Sequence, residues 1–597
     1  MSTAILTGQP VPGSSIEGDL RSLGFDVRTA SDTADAETLL AQAPADRRVA
    51  VVDARFVGHL HALRLGLTDP RFPLAAIPGA VTAQPAGRQA LTRAMARENS
   101  AGGGTALAVD SLADRIVTAL DTDGVEVHRP ELGSLVAAVP ADPQSRNEAR
   151  QAVANVDDEA VRLKSAVKSR DGFFTTFCIS PYSRYIARWC ARRGLTPNQV
   201  TTASLITALI AATCAATGTR AGFVAAGVLL IASFVLDCTD GQLARYSLQY
   251  STLGAWLDAT FDRAKEYAYY AGLALGAARG GDDVWALALG AMILQTCRHV
   301  VDFSFNEANH DATANTSPTA ALSDKLDSVG WTVWVRRMIV LPIGERWAMI
   351  AVLTAVTTPR ITFYVLLIGC AFAATYTTAG RLLRSLTRKA RRTDRAAQAL
   401  ADLADSGPLA QLFSRAVLAG KPALAPLVAA VGALVVVLAA WFDDPGWPLI
   451  LCAGIYVLLS AEAVSNPLKG PLDWLIPPLF RAAEYGTVLI LAAKADVNGA
   501  LPAAFGLVAA VAYHHYDTVY RIRGNAGAPP AWLVRAIGGH EGRTLLVTVL
   551  AAALTASQFK VALTALAVAV ALVVLVESIR FWVSSGAPAV HDEGEPA

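Results

Sequence analysis

Asp237, Asp240, Asp258 and Asp262 are the residues of this 597-residue sequence whose type and spacing could do chemistry. They stand in Asp237-Cys-Thr-Asp240-Gly241-Gln-Leu-Ala244-Arg245, then eight residues, then Gly254-Ala-Trp-Leu-Asp258-Ala-Thr-Phe-Asp262. The first segment closes an apolar run from Phe223 to Leu236, and the second leads into another from Tyr267 to Ala278. A charge near the centre of a membrane helix costs about 2.5–3.5 kcal/mol on insertion scales, so four without compensation would cost on the order of 10 kcal/mol. Chains that keep such residues use them. Asp237, Asp240, Gly241 and Ala244 fall at i, i+3, i+4, i+7, and Gly254, Asp258 and Asp262 at i, i+4, i+8; each set is one helical face. Two such helices facing each other would converge four carboxylates. Hard oxygen ligands in that number suit Mg2+ or Mn2+ and suffice for two ions. Gly241 and Gly254 leave bare backbone beside the acids, room for a flat base or a phosphate, and Arg245 offers a phosphate a planar fork of donors. The competing reading is a set of helix-end carboxylates paired with Arg245 and Arg263.

The stretch resembles, at every defined position, the signature of the CDP-alcohol phosphotransferase family, D-x2-D-G-x2-A-R-x8-G-x3-D-x3-D. The resemblance implies transfer of the phosphoalcohol part of a CDP-alcohol onto an acceptor hydroxyl with release of CMP, in phospholipid or phosphodiester biosynthesis. It implies that Asp237, Asp240 and Asp258 hold the metal. Asp262 then helps to hold it and acts as general base, and Gly241, Ala244, Arg245 and Gly254 line the CDP site. Leu195-Thr-Pro-Asn198-Gln-Val-Thr201 is similar to the family's T-P-N-x-V-T start of the first span, which brings Asn198 and Thr201 towards the nucleotide. Their alternative role is helix capping, with Pro197 in the first turn. Acceptors in this family often carry a phosphate. Lys265, Arg298, Arg336, Arg337 and Arg346 are the available anchors, each also explicable as a cation snorkelling to the interface. His299 reads as a polar core residue.

The elements that must position these residues lie in a chain that is 53% hydrophobic and 17% charged, with a mean hydropathy of +0.38. That is the composition of a polytopic, mainly α membrane protein with a soluble part. A net charge of +1 leaves no nucleic-acid footprint. The seven cysteines are scattered without metal-site spacing. The first residues lack a basic region followed by an apolar core, so no signal peptide is expected.

Residues 1–160 alternate short apolar strands with helix-like stretches, which predicts a soluble α/β domain. Strands are expected at Ala4–Leu6, Phe25–Thr29, Val49–Asp53, Val125–His128 and Ser134–Val139. Helices are expected at Ile16–Leu23 and Ala34–Ala43, and Asn99–Gly104 reads as a loop. A strand, Gly8–Ser15 and a helix could cradle a phosphate. The domain is faintly similar to sugar-phosphate nucleotidyltransferases, but their Gly-rich loop with its Arg and Lys is not present. A regulatory or structural domain is favoured over a degenerate nucleotidyltransferase-like one.

Residues 161–400 read as a membrane domain behind an amphipathic interfacial helix, Tyr182–Arg193, which mixes Tyr, Ile and Trp with four arginines. Its spans are placed near 198–217, 222–244, 254–278, 284–305, 341–357 and 361–379, with a polar loop from Asn306 to Trp331. Lys and Arg cluster on the side of the N-terminus and of the aspartates, so both are expected to face the cytoplasm from the cell membrane. Residues 401–597 begin with a linker or surface helix, Leu403–Leu418. Six further apolar runs follow, near 424–441, 446–463, 474–494, 499–520, 544–556 and 561–579, and then an acidic tail. Arg263-Ala-Lys-Glu-Tyr267 is echoed by Arg481-Ala-Ala-Glu-Tyr485. The second half thus reads as a divergent six-helix copy, with Ile476 and Phe480 where Asp258 and Asp262 would stand. That copy is non-catalytic and packs as a pseudo-dimer, or the chain forms a homodimer.

The partners implied are a CDP-alcohol donor, CDP-diacylglycerol or a soluble CDP-polyol such as CDP-inositol, a polyol or polyol-phosphate acceptor, and membrane lipids. The soluble front domain leans towards archaeal-type members that join CDP-inositol to inositol phosphate. Bacterial phosphatidylinositol-phosphate or phosphatidylglycerol-phosphate synthases are the runner-up. A secondary transporter with 6+6 spans, or a membrane scaffold, is the alternative from another class.

Overall fold

Short apolar runs punctuated by Gly, Pro and Ser form the strands β1 (Ser2–Thr7), β2 (Phe25–Ala30), β3 (Val49–Asp53), β4 (Val57–Gly58), β5 (Leu74–Ile77), β6 (Ala80–Ala83) and β7 (Ala137–Ala138). The computed structural model describes residues 2–8, 11–101, 111–168, 171–312, 334, 338–387, 391–414 and 424–584. Five strands make one sheet in the order β2-β1-β3-β6-β5. β1 runs parallel to β2 and β3, and β6 runs antiparallel to β3 and β5. Strand alternation splits β3 between two cores: Val49 and Val51 pack on one face, Ala50 and Val52 on the other. A strand covered on both faces is apolar throughout, as this run is.

The sheet departs from the expected strands at its far edge. β5 and β6 form a hairpin through Pro78-Gly79, where Gly79 has φ +77°. Val125–His128 is no strand; it contributes one bridge, His128 to Ala75. Ser134–Val139 shortens to the two residues of β7. The helix Arg88–Ala101 runs into the expected Asn99–Gly104 loop, and the rest of that loop lies outside the described residues.

The chain divides into two compact units. The first comprises Met1–Ser169, Tyr182–Pro197 and Thr239–Tyr250. Within it, Arg162 donates to the Tyr246 carbonyl at 2.8 Å and stacks on that ring at 3.6 Å, while the Tyr246 hydroxyl donates to Glu159 at 2.9 Å. A helix, Ser180–Arg192, stands where the interfacial helix was expected, with Tyr182, Tyr185 and Trp189 exposed.

The second unit comprises Arg170–Pro181, Asn198–Cys238 and Ser251–Ala597. A helix lies at each of the twelve expected apolar runs. They are α1 (Pro197–Ala216), α2 (Arg220–Ser247), α3 (Thr252–Arg279), α4 (Trp285–Asn309), α5 (Ile343–Val356), α6 (Pro359–Thr387), α7 (Ala425–Phe442), α8 (Trp447–Ala463), α9 (Ile476–Lys494), α10 (Ala500–Arg523), α11 (Gly539–Ala553) and α12 (Ala556–Ser584). Among the described residues six helices are long and apolar enough to cross a membrane: α1, α2, α6, α7, α9 with the turn before it, and α12. α3 falls short because Asp258, Asp262, Arg263, Lys265 and Glu266 crowd its first half.

α3 packs on α4, α4 on α6 and α5 on α6; in the second half α9 packs on α10, α10 on α12 and α11 on α12. So three pairings among the third to sixth helices recur in both halves, whereas the close pairings of α3 on α6 and of α9 on α11 each occur in one half among the described residues. Across the halves, α4 packs on α9 and α10, and α3 on α10 and α12.

The segment expected as a linker or surface helix, 403–418, is mixed: Leu403 and Ala404 are buried at the end of one helix, while a second exposes Leu412. The helices Asp394–Ala404 and Pro408–Ser414 occupy it, and Leu400, Leu403 and Ala404 are at most 1% exposed. Ala396, Leu400 and Leu403 stand at i, i+4 and i+7, an apolar stripe that needs a partner. The remainder of the polar loop from residue 313, the stretch 415–423 and the acidic tail lie outside the described residues.

Candidate active site

Helix geometry delivers the four acids. α2 is continuous from Arg220 to Ser247, which fixes Asp237 and Asp240 one turn apart. Ser251 caps α3, its hydroxyl accepting the Gly254 N–H at 3.0 Å, and so sets where the Asp258–Asp262 face begins. One oxygen from each of Asp237, Asp240 and Asp258 lies within 4.8 Å of the others. Three carboxylates at that spacing are a hard oxygen donor set, and they fit Mg2+ or Mn2+.

Asp262 stands one turn beyond Asp258 and is held differently. The Lys265 ammonium lies 2.9 Å from it, also bonds Asp237, and donates to the Ser204 hydroxyl at 3.2 Å. Lys265 is fully buried, so the residue expected at the acceptor phosphate sits between two of the acids. Ser204 in turn clasps Ser233: each hydroxyl donates to the other residue's carbonyl at 2.9 Å, tying α1 to α2. The sequence reading missed this pair. Its signal is two serines inside otherwise apolar runs, where a hydroxyl must find a partner.

The neighbouring charges also pair. Arg263 donates to Glu266 at 2.6 Å, Arg346 lies 3.4 Å from Glu266, and the Tyr270 hydroxyl donates to Glu266 at 2.8 Å. Arg346 is 2% exposed. Arg298 donates to the Val340 carbonyl. Arg336 and Arg337 lie outside the described residues. His299 is a buried-core residue as expected, bonded to Gln295 and to the Tyr516 hydroxyl, each at 2.6 Å.

The residues expected around a nucleotide come together in two places. A Cβ added at Gly254 would stand 2.7 Å from the Asn198 Oδ1, so the bare backbone of α3 is what admits Asn198 there. Thr201, one turn further along α1, is buried. A Cβ at Gly241 would stand 3.4 Å from the Arg245 guanidinium, and the Arg245 Nε donates to the Ala166 carbonyl at 2.6 Å. Ala244 is half-buried on the same helix.

The second half repeats the ion pairs without the acids. Arg481 donates to Glu484 at 3.0 Å and Arg543 also binds Glu484, as Arg263 and Arg346 bind Glu266. Ile476 and Phe480, at the positions counted for the acids, are fully buried. Asp405 joins this group, with Arg543 at 2.8 Å, Arg481 at 3.0 Å and His514 at 3.2 Å. Burial pushes the Asp405 carboxyl up, but Arg481 and Arg543 outweigh it and hold the acid well below the usual carboxylate range.

Comparison with known proteins points the same way. Residues 194–375 match the family model described as CDP-alcohol phosphatidyltransferase, and residues 394–597 match a family of unknown function, DUF5941. A bifunctional IPC transferase and DIPP synthase of Aquifex aeolicus is 31% identical over 114 residues, 19% of this chain and 26% of that protein. An archaetidylinositol phosphate synthase of Pyrococcus horikoshii is 30% identical over 113 residues, 19% of this chain and 58% of that protein. A phosphatidylinositol phosphate synthase of Mycolicibacterium smegmatis is 36% identical over 122 residues, 20% of this chain and 53% of that protein. The chain thus spans between about a quarter and three-fifths of the length of these curated relatives. Residues 194–375, which gather Asp237, Asp240 and Asp258 at an acidic site, are thus a CDP-alcohol phosphatidyltransferase domain within this chain.

Proposed function

We propose that this protein transfers a substituted phosphate group from a CDP-alcohol to the hydroxyl of a polyol phosphate acceptor and releases CMP. The observation that carries the reading is the gathering of Asp237, Asp240 and Asp258 on two facing helices, with Asp262 one turn away. Those residues would hold Mg2+ or Mn2+, which neutralises the pyrophosphate and stabilises the departing CMP. Asp262 removes the proton from the acceptor hydroxyl. The Lys265 ammonium 2.9 Å away aims it, and a general base needs that geometry first. Gly241, Ala244, Arg245, Gly254, Asn198 and Thr201 receive the cytidine and its phosphates. The acceptor phosphate is drawn by Arg298 and Arg346 together with Arg336 and Arg337.

The inositol phosphate synthases among the relatives support a polyol phosphate as acceptor. Either CDP-diacylglycerol or a soluble CDP-polyol fits the same site, because the CDP part is common to both. The chain is a multi-pass membrane protein whose acidic site faces the cytoplasm. Its second half is a divergent copy of the first, a reading supported by the shared helix pairings and by the Glu484 ion pairs.

The test is CMP release from purified full-length protein with Mg2+, offering CDP-diacylglycerol, CDP-inositol or CDP-glycerol with inositol phosphate or glycerol phosphate. Release with one donor, lost in Asp262→Asn, is expected. No release with any pair, from folded protein that binds Mn2+, overturns the reading.

A further inference from the structure

Residues within 394–597, which match a family of unknown function, meet the helix that carries Asp258 and Asp262 at two points. The first is Trp256, two residues before Asp258, which stacks on Trp582 of α12 with ring centroids 6.2 Å apart. Trp582 does not move freely: its indole N–H donates to Asp517 at 2.7 Å, the Ser578 hydroxyl donates to the same oxygen at 2.7 Å, and Arg521 holds the other oxygen at 2.8 Å. The second is Arg263, next to Asp262, whose guanidinium lies 5.4 Å from the Tyr516 ring of α10. The Tyr516 hydroxyl is fixed in turn by His299 at 2.6 Å. Trp256, Trp582, Tyr516 and Asp517 are all buried.

The angular placement gives these contacts meaning. At about 100° per residue, Arg263 lies about 20° from Trp256 around α3, whereas Asp258 and Asp262 lie on the opposite side, about 200° and 240° round. The second half therefore grips the back of the two turns whose front presents the acids. Both grips end in buried polar anchors, Asp517 and His299, which do not slide as an apolar contact does.

We infer that the second membrane half functions as a built-in positioning subunit: Tyr516 and Trp582 lock α3 so that Asp258 stands at ligand distance from Asp237 and Asp240, with Asp262 one turn on beside Lys265. They touch neither substrate nor metal; they act through Arg263 and Trp256. The activity arm of the test rests on the transferase reading, and the metal arm does not.

The experiment measures Mn2+ affinity of full-length protein in micelles by electron paramagnetic resonance, beside CMP release. Tyr516→Leu is expected to weaken Mn2+ binding about 10-fold, as loss of a group that orients a metal ligand does. Its kcat should fall in step while the KM for the CDP donor stays put. Tyr516→Phe keeps the ring over Arg263 but loses the bond to His299, and should fall between Tyr516→Leu and the wild type, losing about 3-fold. Trp582→Phe, which keeps a stacked ring but loses the bond to Asp517, decides the matter if Tyr516→Leu does not fold; it should lose about 3-fold, a small share of what outer ligands supply. Monodisperse Tyr516→Leu or Trp582→Phe protein that binds Mn2+ like the wild type overturns the inference. A wild type that binds Mn2+ but releases no CMP with any donor sinks the transferase reading alone, and the affinity comparison still decides this one.

Discussion

Asp258 and Asp262 are one helical turn apart, yet the site gives them different work. Asp258 belongs to the trio whose oxygens lie within 4.8 Å, and Asp262 is bonded to Lys265. Replacing each by Asn should therefore separate two losses. Asp258→Asn removes a ligand, so both Mn2+ binding and CMP release should disappear. Asp262→Asn removes a base, so Mn2+ should still bind while the rate falls by about 10²–10⁴, the range a positioned base contributes. Titrating Mn2+ on both variants before assaying them checks this; equal loss of Mn2+ affinity in the two would put Asp262 in the ligand set. That Asp237, Asp240 and Asp258 converge was legible in the sequence because the acids repeat at helical spacing, whereas the roles came from the resemblance, which gave Asp262 both ligand and base. Lys265 was legible as a cation but not as their partner, since nothing in spacing says which way a buried ammonium turns.

Helices carry the site only if they approach closely enough, and small residues decide that. A Cβ added at Gly272 would meet the Ala212 carbonyl at 2.3 Å, and one at Gly276 would meet the Ala215 carbonyl at 2.0 Å. Backbone cannot yield as a flexible side chain does, so Gly272→Ala or Gly276→Ala must push α3 off α1. A destabilisation of about 1–3 kcal/mol is expected, read as a lower midpoint in thermal unfolding, with Mn2+ affinity falling alongside. Gly290, where an added Cβ would meet only Leu367 at 3.9 Å, is the neutral control. The second half has its own fragile contact. Asp405→Ala leaves Arg481 and Arg543 with Glu484 between them, and breaking such a buried group costs about 3–5 kcal/mol. Limited proteolysis between residues 394 and 414 should become much faster; an unchanged rate would show that Asp405 is dispensable. All twelve apolar helices and the strands β1, β2 and β3 were readable from the pattern of apolar residues. The buried helix Asp394–Ala404 was not, because its few apolar positions look like those of any surface helix until a partner is known. Nor was the β5–β6 hairpin, whose strands are four residues each. Asp405 binds partners that lie 76, 109 and 138 residues away, a separation that local pattern does not reach.

At the scale of the whole molecule, the halves are joined by apolar packing and by buried polar bonds together. Lipid tails cover an apolar helix face as well as another helix does, so helices associate in a membrane through close packing and buried polar bonds. The junction has both. Phe303 of α4 packs with Leu403, Ala512 and Tyr516 of the second half. The His299 ring nitrogen and the Tyr516 hydroxyl are hydrogen-bonded, and Arg263 faces that same ring. Arg392, just ahead of the second half, donates to the Ala308 carbonyl at 3.1 Å and to the Pro471 carbonyl at 2.9 Å, and so bridges the two. A chain ended after Thr393 would turn His299 and Arg263 towards lipid, where an unpartnered polar group costs several kcal/mol. That chain should therefore aggregate on extraction and bind no Mn2+, although every acid of the site is present. Supplying residues 394–597 as a separate polypeptide in the same cells should recover a monodisperse complex and its Mn2+ affinity, because the lost interactions are noncovalent. Size-exclusion profiles of the two preparations read the result directly. A truncated chain that is monodisperse and binds Mn2+ as tightly as the full protein would mean that the first half holds its own acids in place and that the second half serves some other end.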